Sequence, residues 1–165
     1  MSETARLALP LLDAGQAQKE LTVNEALQRL DMLAQAVVVA VGLDVPPASP
    51  AEGQAWIVGS APTGEWAGRA GTLAGWSAGG WRFVAPVDGM TVWSVADLCC
   101  ATRTAGAWRV GILAGHRVEV GGVQVLGTRA GAIASPSGGG VVDLEARAAI
   151  GALLAMARGH GLIAT

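Results

Sequence analysis

GQAWIVGSAPTGEWAGRAGTLAGWSAGGWRFVAP, residues 53–86, is the stretch that decides the fold. Three short apolar and aromatic runs, QAWIVG, TLAGWS and WRFVAP, stand between clusters of glycine and other turn formers. Runs this short, bounded this way, read as strands. The same texture continues through TVWSV, AWRVG, HRVEV and VQVLG, as far as Leu126. Gly79-Gly80 and Gly121-Gly122 separate consecutive runs, where a tight hairpin needs positive φ and glycine supplies it without strain. The expectation is a small antiparallel β-sandwich or barrel-like region. Trp56, Trp66 and Trp76 are evenly spaced, which hints at a repeated strand-turn unit.

Helices are expected on both sides of this region. Met1 to about Leu21, with Pro10 and Gly15, reads as an extended arm and turn. Thr22 to Val41 reads as a helix, with Thr22 and Glu25 as a capping box, Asn24 as a rival N-cap and Gly42 as the stop. DVPPASPAEG, residues 44–53, is a stiff linker that its prolines keep out of any helix. After the β region, SPSGGG reads as a flexible tether leading to Asp143, a good N-cap, with Glu145 placed to favour the helix dipole. That helix is expected to end near Arg158, with Gly159 at C′ and Leu162 folding back. The fold class is therefore α+β, in four parts: an N-terminal arm and attachment or oligomerisation helix (1–43), a linker (44–52), a β domain (53–134), and a Gly-rich tether with a C-terminal helix (135–165).

Val23, Leu27, Leu30, Ala34, Val37 and Val41 alternate spacings of four and three, a heptad stripe. Ala146, Ile150, Leu153 and Ala157 repeat that spacing, and Leu154 widens the stripe. Each stripe must be buried against something. The chain's own sheet is one solution and copies of the chain around a symmetry axis are the other; the stiff linker and the tether favour copies. A homo-oligomer is expected, a trimer first and a pentamer as the alternative.

Composition narrows the function. A chain of 165 residues is one domain with extensions. Apolar residues make up 52%, enough for a core, although alanine contributes little area to it. Tyrosine is absent and Phe83 is the single phenylalanine, so six tryptophans supply most of the bulk. Eleven basic residues against thirteen acidic ones are scattered along the chain, and Lys19 is the single lysine. Nucleic-acid binders concentrate Lys and Arg on one face, so neither nucleic acid nor a polybasic membrane contact is expected. The longest aliphatic run, AVVVAVG at 36–42, is far short of the roughly 20 residues that span a bilayer. MSETARLALPLL lacks the pattern of a signal peptide. Cys99 and Cys100 are adjacent, which disfavours a disulfide between them, and cytosolic synthesis with reduced thiols is the expected setting.

Catalytic groups are sparse. His116 and His160 are the only histidines, and neither has a second ligand at metal spacing. The chain contains no Walker loop, and SGGGVVD lacks the lysine of a phosphate cradle. Asp88, Asp97 and Glu65 show no pairing pattern for glycoside cleavage, which leaves depolymerisation the weakest alternative. No enzyme, metal or cofactor is expected. The tryptophans remain. At least three belong to the core, and an exposed indole is a flat apolar plate suited to the C–H face of a sugar. Trp66, in PTGEWAGRAG, is flanked by Glu65 and Arg69, which can hydrogen-bond hydroxyls; with Trp76 these are the candidate glycan-binding residues.

LALPLLDAGQAQKELTVNEALQRLD, PPASPAEGQAWIVGSAPTGEWAGRAGTLAGWSAGGWRFVAPVDGMTVW and the ending GGVVDLEARAAIGALLAMARGHGLIAT together span about two thirds of the chain. They resemble a family of uncharacterised domains carried on tail fibres and spikes of tailed phages and phage-derived gene transfer agents. The specific parts are Gly15 to Glu20, Asn24 to Leu27 and Gly80 to Phe83. The resemblance implies a component of the virion surface, made in the host cytoplasm and in contact with other virion proteins. It implies adsorption to a host surface polysaccharide, or else a purely structural connector or spike base. It carries no catalytic assignment. The segment SVADLCCATRTAG, 94–106, departs from the family's more polar, aromatic pattern.

Overall fold

The AVVVAVG run does not continue the N-terminal helix. In the computed structural model, which describes residues 2–13, 15, 19–141 and 143–164, helix α1 spans Lys19–Leu33. The Ala34 N–H closes the last turn on the Leu30 carbonyl at 2.8 Å. Gln35 then takes a left-handed φ of 46°, and the helix ends there rather than at Gly42. Beyond it, β-branched valines favour extended backbone: Val37–Val38 forms β1 and Val41–Leu43 forms β2. The start differs too. Thr22 lies inside α1 and caps nothing, and residues 16–18 of the expected arm lie outside the described residues. Asn24 instead brackets the arm, accepting the Leu12 N–H at 2.9 Å and donating to the Leu12 carbonyl at 3.0 Å.

The chain divides into two units, residues 1–112 and 113–165. In the first, β3 (Ala55–Val58), β4 (Leu73–Ser77) and β5 (Gly80–Val84) join β2 in a sheet of order β2-β3-β4-β5. A second sheet, of order β1-β6-β7-β8, adds β6 (Thr91–Ser94), β7 (Cys99–Thr104) and β8 (Ala107–Val110). The hairpins are antiparallel as expected, but β2 runs parallel to β3 and β1 parallel to β6, so both sheets are mixed and no closed barrel forms. The fold is α+β. Strand β7, CCATRT, carries no apolar alternation in its sequence, because its inward residue is a small alanine, Ala101, among polar neighbours.

One buried cluster serves both sheets: Val38, Val92 and Ala101 from one, Ala55, Ile57 and Leu73 from the other, and Met32 from α1. Met32 lies against Gly75 of β4, where any Cβ would collide with its side chain. The arm is fastened to the same helix. The buried Asp31 carboxylate accepts hydrogen bonds from Thr4 Oγ1 at 2.7 Å, Arg6 N at 3.1 Å and Leu7 N at 2.7 Å. The Arg6 guanidinium donates to the carbonyls of Asp31 and Gln35, covering acceptors that a helix end leaves free. Residues 44–52 are no separator either: Asp44 holds Ala61 N through its carboxylate at 2.9 Å and Thr63 N through its carbonyl at 2.8 Å. Thus α1 packs on its own chain, contrary to the expectation of a helix held apart by a stiff linker.

The second unit contains the hairpin β9 (Val118–Val120) and β10 (Val123–Leu126) and helix α2 (Leu144–Gly159). Gly121 and Gly122 turn the hairpin with φ of 58° and 79°, as read from sequence. The hairpin thus belongs with the C-terminal helix and not with the β region before it. Asp143 caps α2, accepting the Ala146 N–H at 2.8 Å. The stop is Gly161 (φ 70°) and not Gly159: Leu162 N donates to the Ala157 carbonyl at 2.9 Å and Gly161 N to the Arg158 carbonyl at 3.0 Å, a Schellman closure. Among the described residues of this unit, only Leu154 and Ile163 are buried.

Two substitutions test these contacts by urea unfolding. Asp31→Ala strands three donors and should cost about 3 kcal/mol. Gly59→Ala drives a Cβ into the Asp44 carboxylate and to 2.7 Å from the Gly42 carbonyl, and should cost about 2 kcal/mol.

Candidate ligand-binding groove

The evenly spaced tryptophans are not a repeat; they converge. Trp56 comes from β3, Trp76 from β4, Trp81 from β5, and Trp66 from a 3-10 turn at Gly64–Trp66. Register puts Trp76 opposite Trp81 and Trp56 opposite Ala74, so all face the side of the sheet away from Met32. Trp81 meets Trp66 and Trp76 edge-on at 5.0 Å and Trp56 at 5.6 Å. The loop carrying Trp66 is tied down by Gly71 N on the Val58 carbonyl at 3.0 Å and by Trp108 Nε1 on the Gly71 carbonyl at 2.9 Å. Trp66 is fully buried at 0% exposure and is a lid on this cluster, not a plate open to a sugar.

Beside the cluster, along β5, lies a groove of about 360 Å³ lined by Glu25, Arg29, Arg69, Gly79, Trp81, Arg82 and Phe83. β5 is an edge strand of its sheet. Glu25 on α1 accepts from Arg29 Nε and from Arg82 Nε, each at 2.9 Å, and Arg82 also bonds Ser77 Oγ. Burial pushes the Glu25 carboxyl up, but the two arginine hydrogen bonds and charges outweigh it and hold it below its ordinary value. Arg69 lies over the Phe83 ring, 4.9 Å from its centroid. Glu65 accepts the Trp81 Nε1–H at 3.2 Å.

Of the four residues expected to hold a glycan, Arg69 alone lines the groove. Glu65 borders it through Trp81, Trp76 is half-buried behind Trp81, and Trp66 is inaccessible. Glu25, Arg29, Trp81, Arg82 and Phe83 were not singled out as binding residues. The GGWRF run carried the only available signal, and the helix that supplies Glu25 and Arg29 is distant in sequence. The expected oligomerisation stripe is not one surface. Val23, Leu27 and Leu30 lie on α1, Ala34 follows it, and Val37 and Val41 belong to strands. Ile150 and Leu153 do share α2 and are exposed.

Other features are less developed. A larger groove of about 510 Å³ runs beside Val41, Ile57, Gly59 and Trp108, with Arg103 its one charged side chain. His116 borders a cavity within the second unit. Cys99 and Cys100 are free thiols on β7. Among the described residues, no group of His, Cys, Asp and Glu is placed to hold a metal ion, and no helix is long and apolar enough to cross a membrane.

The first unit is thus a helix-backed pair of mixed sheets with an aromatic and cationic groove on one sheet edge. The chain belongs to DUF2793, a family of proteins of unknown function, whose pattern matches residues 23–109. That span holds every residue lining the groove. No curated protein matches the chain.

The folded Glu25 carboxyl titrates below its unfolded counterpart, so its contribution to stability is complete above the ordinary value of 4.5 and is lost as pH falls through the lowered folded value. In thermal melts below that pH, Glu25→Gln should lose stability less steeply on acidification than the parent chain.

Proposed function

We propose that this chain is a structural protein of a phage-like particle, a spike or tail fibre, which assembles as a homo-oligomer and displays its first unit to bind host surface polysaccharide without catalysis. The observation that carries this reading is the groove on β5, where an immobilised indole and a phenyl ring stand among side chains rich in hydrogen-bond donors. Aromatic surface for C–H faces and fixed donors for hydroxyls are the two things a sugar site needs. The resemblance to tail-fibre and spike domains points the same way and supplies the setting: the virion surface, after synthesis in the host cytoplasm, beside other virion proteins.

Assembly is supported by the second unit. A two-stranded hairpin is marginal on its own, yet Val118, Val120, Val123 and Val125 are exposed, as are Ile150, Leu153 and Met156 of α2. Copies of the same unit, closing a trimer or a pentamer, would cover these faces. Of the two stripes expected to self-associate, this reading keeps the one on α2, whose Ile150 and Leu153 are exposed. The connector reading has one observation in its favour, the burial of Trp56 and Trp66, which puts part of the aromatic content into structure and not display.

Two measurements test the proposal. Light scattering on the full chain should give a trimer that Leu153→Asp reduces to monomer; a monomeric parent chain would remove the assembly argument. Labelled full chain should bind cells of a host strain and be displaced by their purified surface polysaccharide, with Phe83→Ala weakening binding about fivefold through loss of the ring. Retention by virion proteins with indifference to polysaccharide would favour the connector.

A further inference from the structure

The groove gathers positive charge in a chain whose net charge is −2. Three guanidiniums line it against the single carboxylate of Glu25, and counting Glu65 as well leaves the balance positive. Glu25 occupies one Nε–H each of Arg29 and Arg82. Arg69 has no carboxylate partner among the described residues and rests on Phe83. Neighbouring residues of a strand point to opposite faces, so Arg82 approaches the β5 edge from the α1 side while Trp81 and Phe83 approach from the other. Gly79 makes room for this: a Cβ there would stand 3.3 Å from Arg82 Nη2.

A guanidinium seated over an aromatic ring, with its donors unspent, matches a planar carboxylate in bidentate fashion. Trp81, which lines the same groove, offers a surface to the apolar face of the sugar bearing that carboxylate. A neutral sugar would gain nothing from the excess charge. Single-stranded nucleic acid, which also pairs arginine with aromatic stacking, needs a basic track along its backbone, and a groove of this volume in a net acidic chain does not supply one.

We propose that the β5 groove is selective for acidic saccharides, with Arg69 taking a uronate carboxylate and Trp81 packing against its ring. This rests on the polysaccharide reading above and names its ligand class. The test applies the full chain to an array of bacterial surface glycans in which each uronate-containing member is paired with its carboxyl-reduced counterpart, with oligothymidylate as competitor. The expected result is binding about tenfold tighter to the acidic members, the loss of one charged hydrogen-bonded contact, weakening as salt is raised. Arg69→Gln should abolish that preference at an unchanged melting temperature. Equal binding within each pair, or an undiminished preference in Arg69→Gln, would overturn the acidic selectivity and leave polysaccharide binding standing. Displacement of the glycans by oligothymidylate would overturn it in favour of nucleic acid. Binding to no glycan on the array would overturn both readings.

Discussion

Residues 36–43 hydrogen-bond on two sides at once, and the first unit is organised around that fact. On one side Trp93 N and Val95 N donate to the carbonyls of Ala36 and Val38 at 2.8 and 2.9 Å; on the other Val39 N donates to the Ala55 carbonyl at 2.8 Å and Ile57 N to that of Ala40 at 3.1 Å. One short segment thus supplies an edge strand to each of two sheets. Parallel pairing is the natural outcome, because the segment and its partners are separated by long connections and no hairpin joins them. Val38, at 1% exposure, sits where the two inner faces meet. The arm and α1 close over the same core, with Asp31 and Arg6 fixing the helix end from which the segment departs.

The outer face of the β2–β5 sheet solves a different problem. With 24 glycines and no tyrosine, the chain has few large side chains to fill space. It concentrates four indoles on one face, and their edge-on contacts favour the geometry that ring quadrupoles prefer. Trp81 is held on three sides by other rings, so its position is set before any ligand arrives. Its neighbours along and beside β5 are charged because this strand is the sheet's exposed edge, where uncovered backbone invites pairing with another chain. Arginines there discourage such pairing and at the same time furnish the groove.

Local patterns were legible in the sequence where local chemistry governs. The glycine pair at 121–122, the Asp143 cap and the strands of 54–84 follow from turn and propensity rules that act over a few residues. The helix over 22–41 did not hold past Leu33, because valine spacing compatible with a heptad is equally compatible with strands, and pairing to Trp93 and Ile57 decides between them. Gly159 and Gly161 are equally able to end α2; the one that does is set by which turn the carbonyls of Ala157 and Arg158 can close. The groove was the least legible feature. Glu25 meets Arg82 only through the tertiary placement of α1 on β5, and Trp66, flanked by charged and small residues, carries no sign of its burial. Arg69 was found for its hydrogen-bonding capacity, and its place over Phe83 comes from the fold.

The double role of residues 36–43 also bears on the order in which the chain is made. Translation delivers AVVVAV first, β3 next, and the strand that pairs with Val37 and Val38 only much later, after the β4–β5 hairpin. Until Trp93 has left the ribosome, a run of β-branched residues with no charge and no proline stands half-paired, the kind of segment that seeks other strands. The nascent module is therefore exposed to misassociation over most of its own synthesis, and its fold becomes self-protecting only when the last of its two sheets is complete.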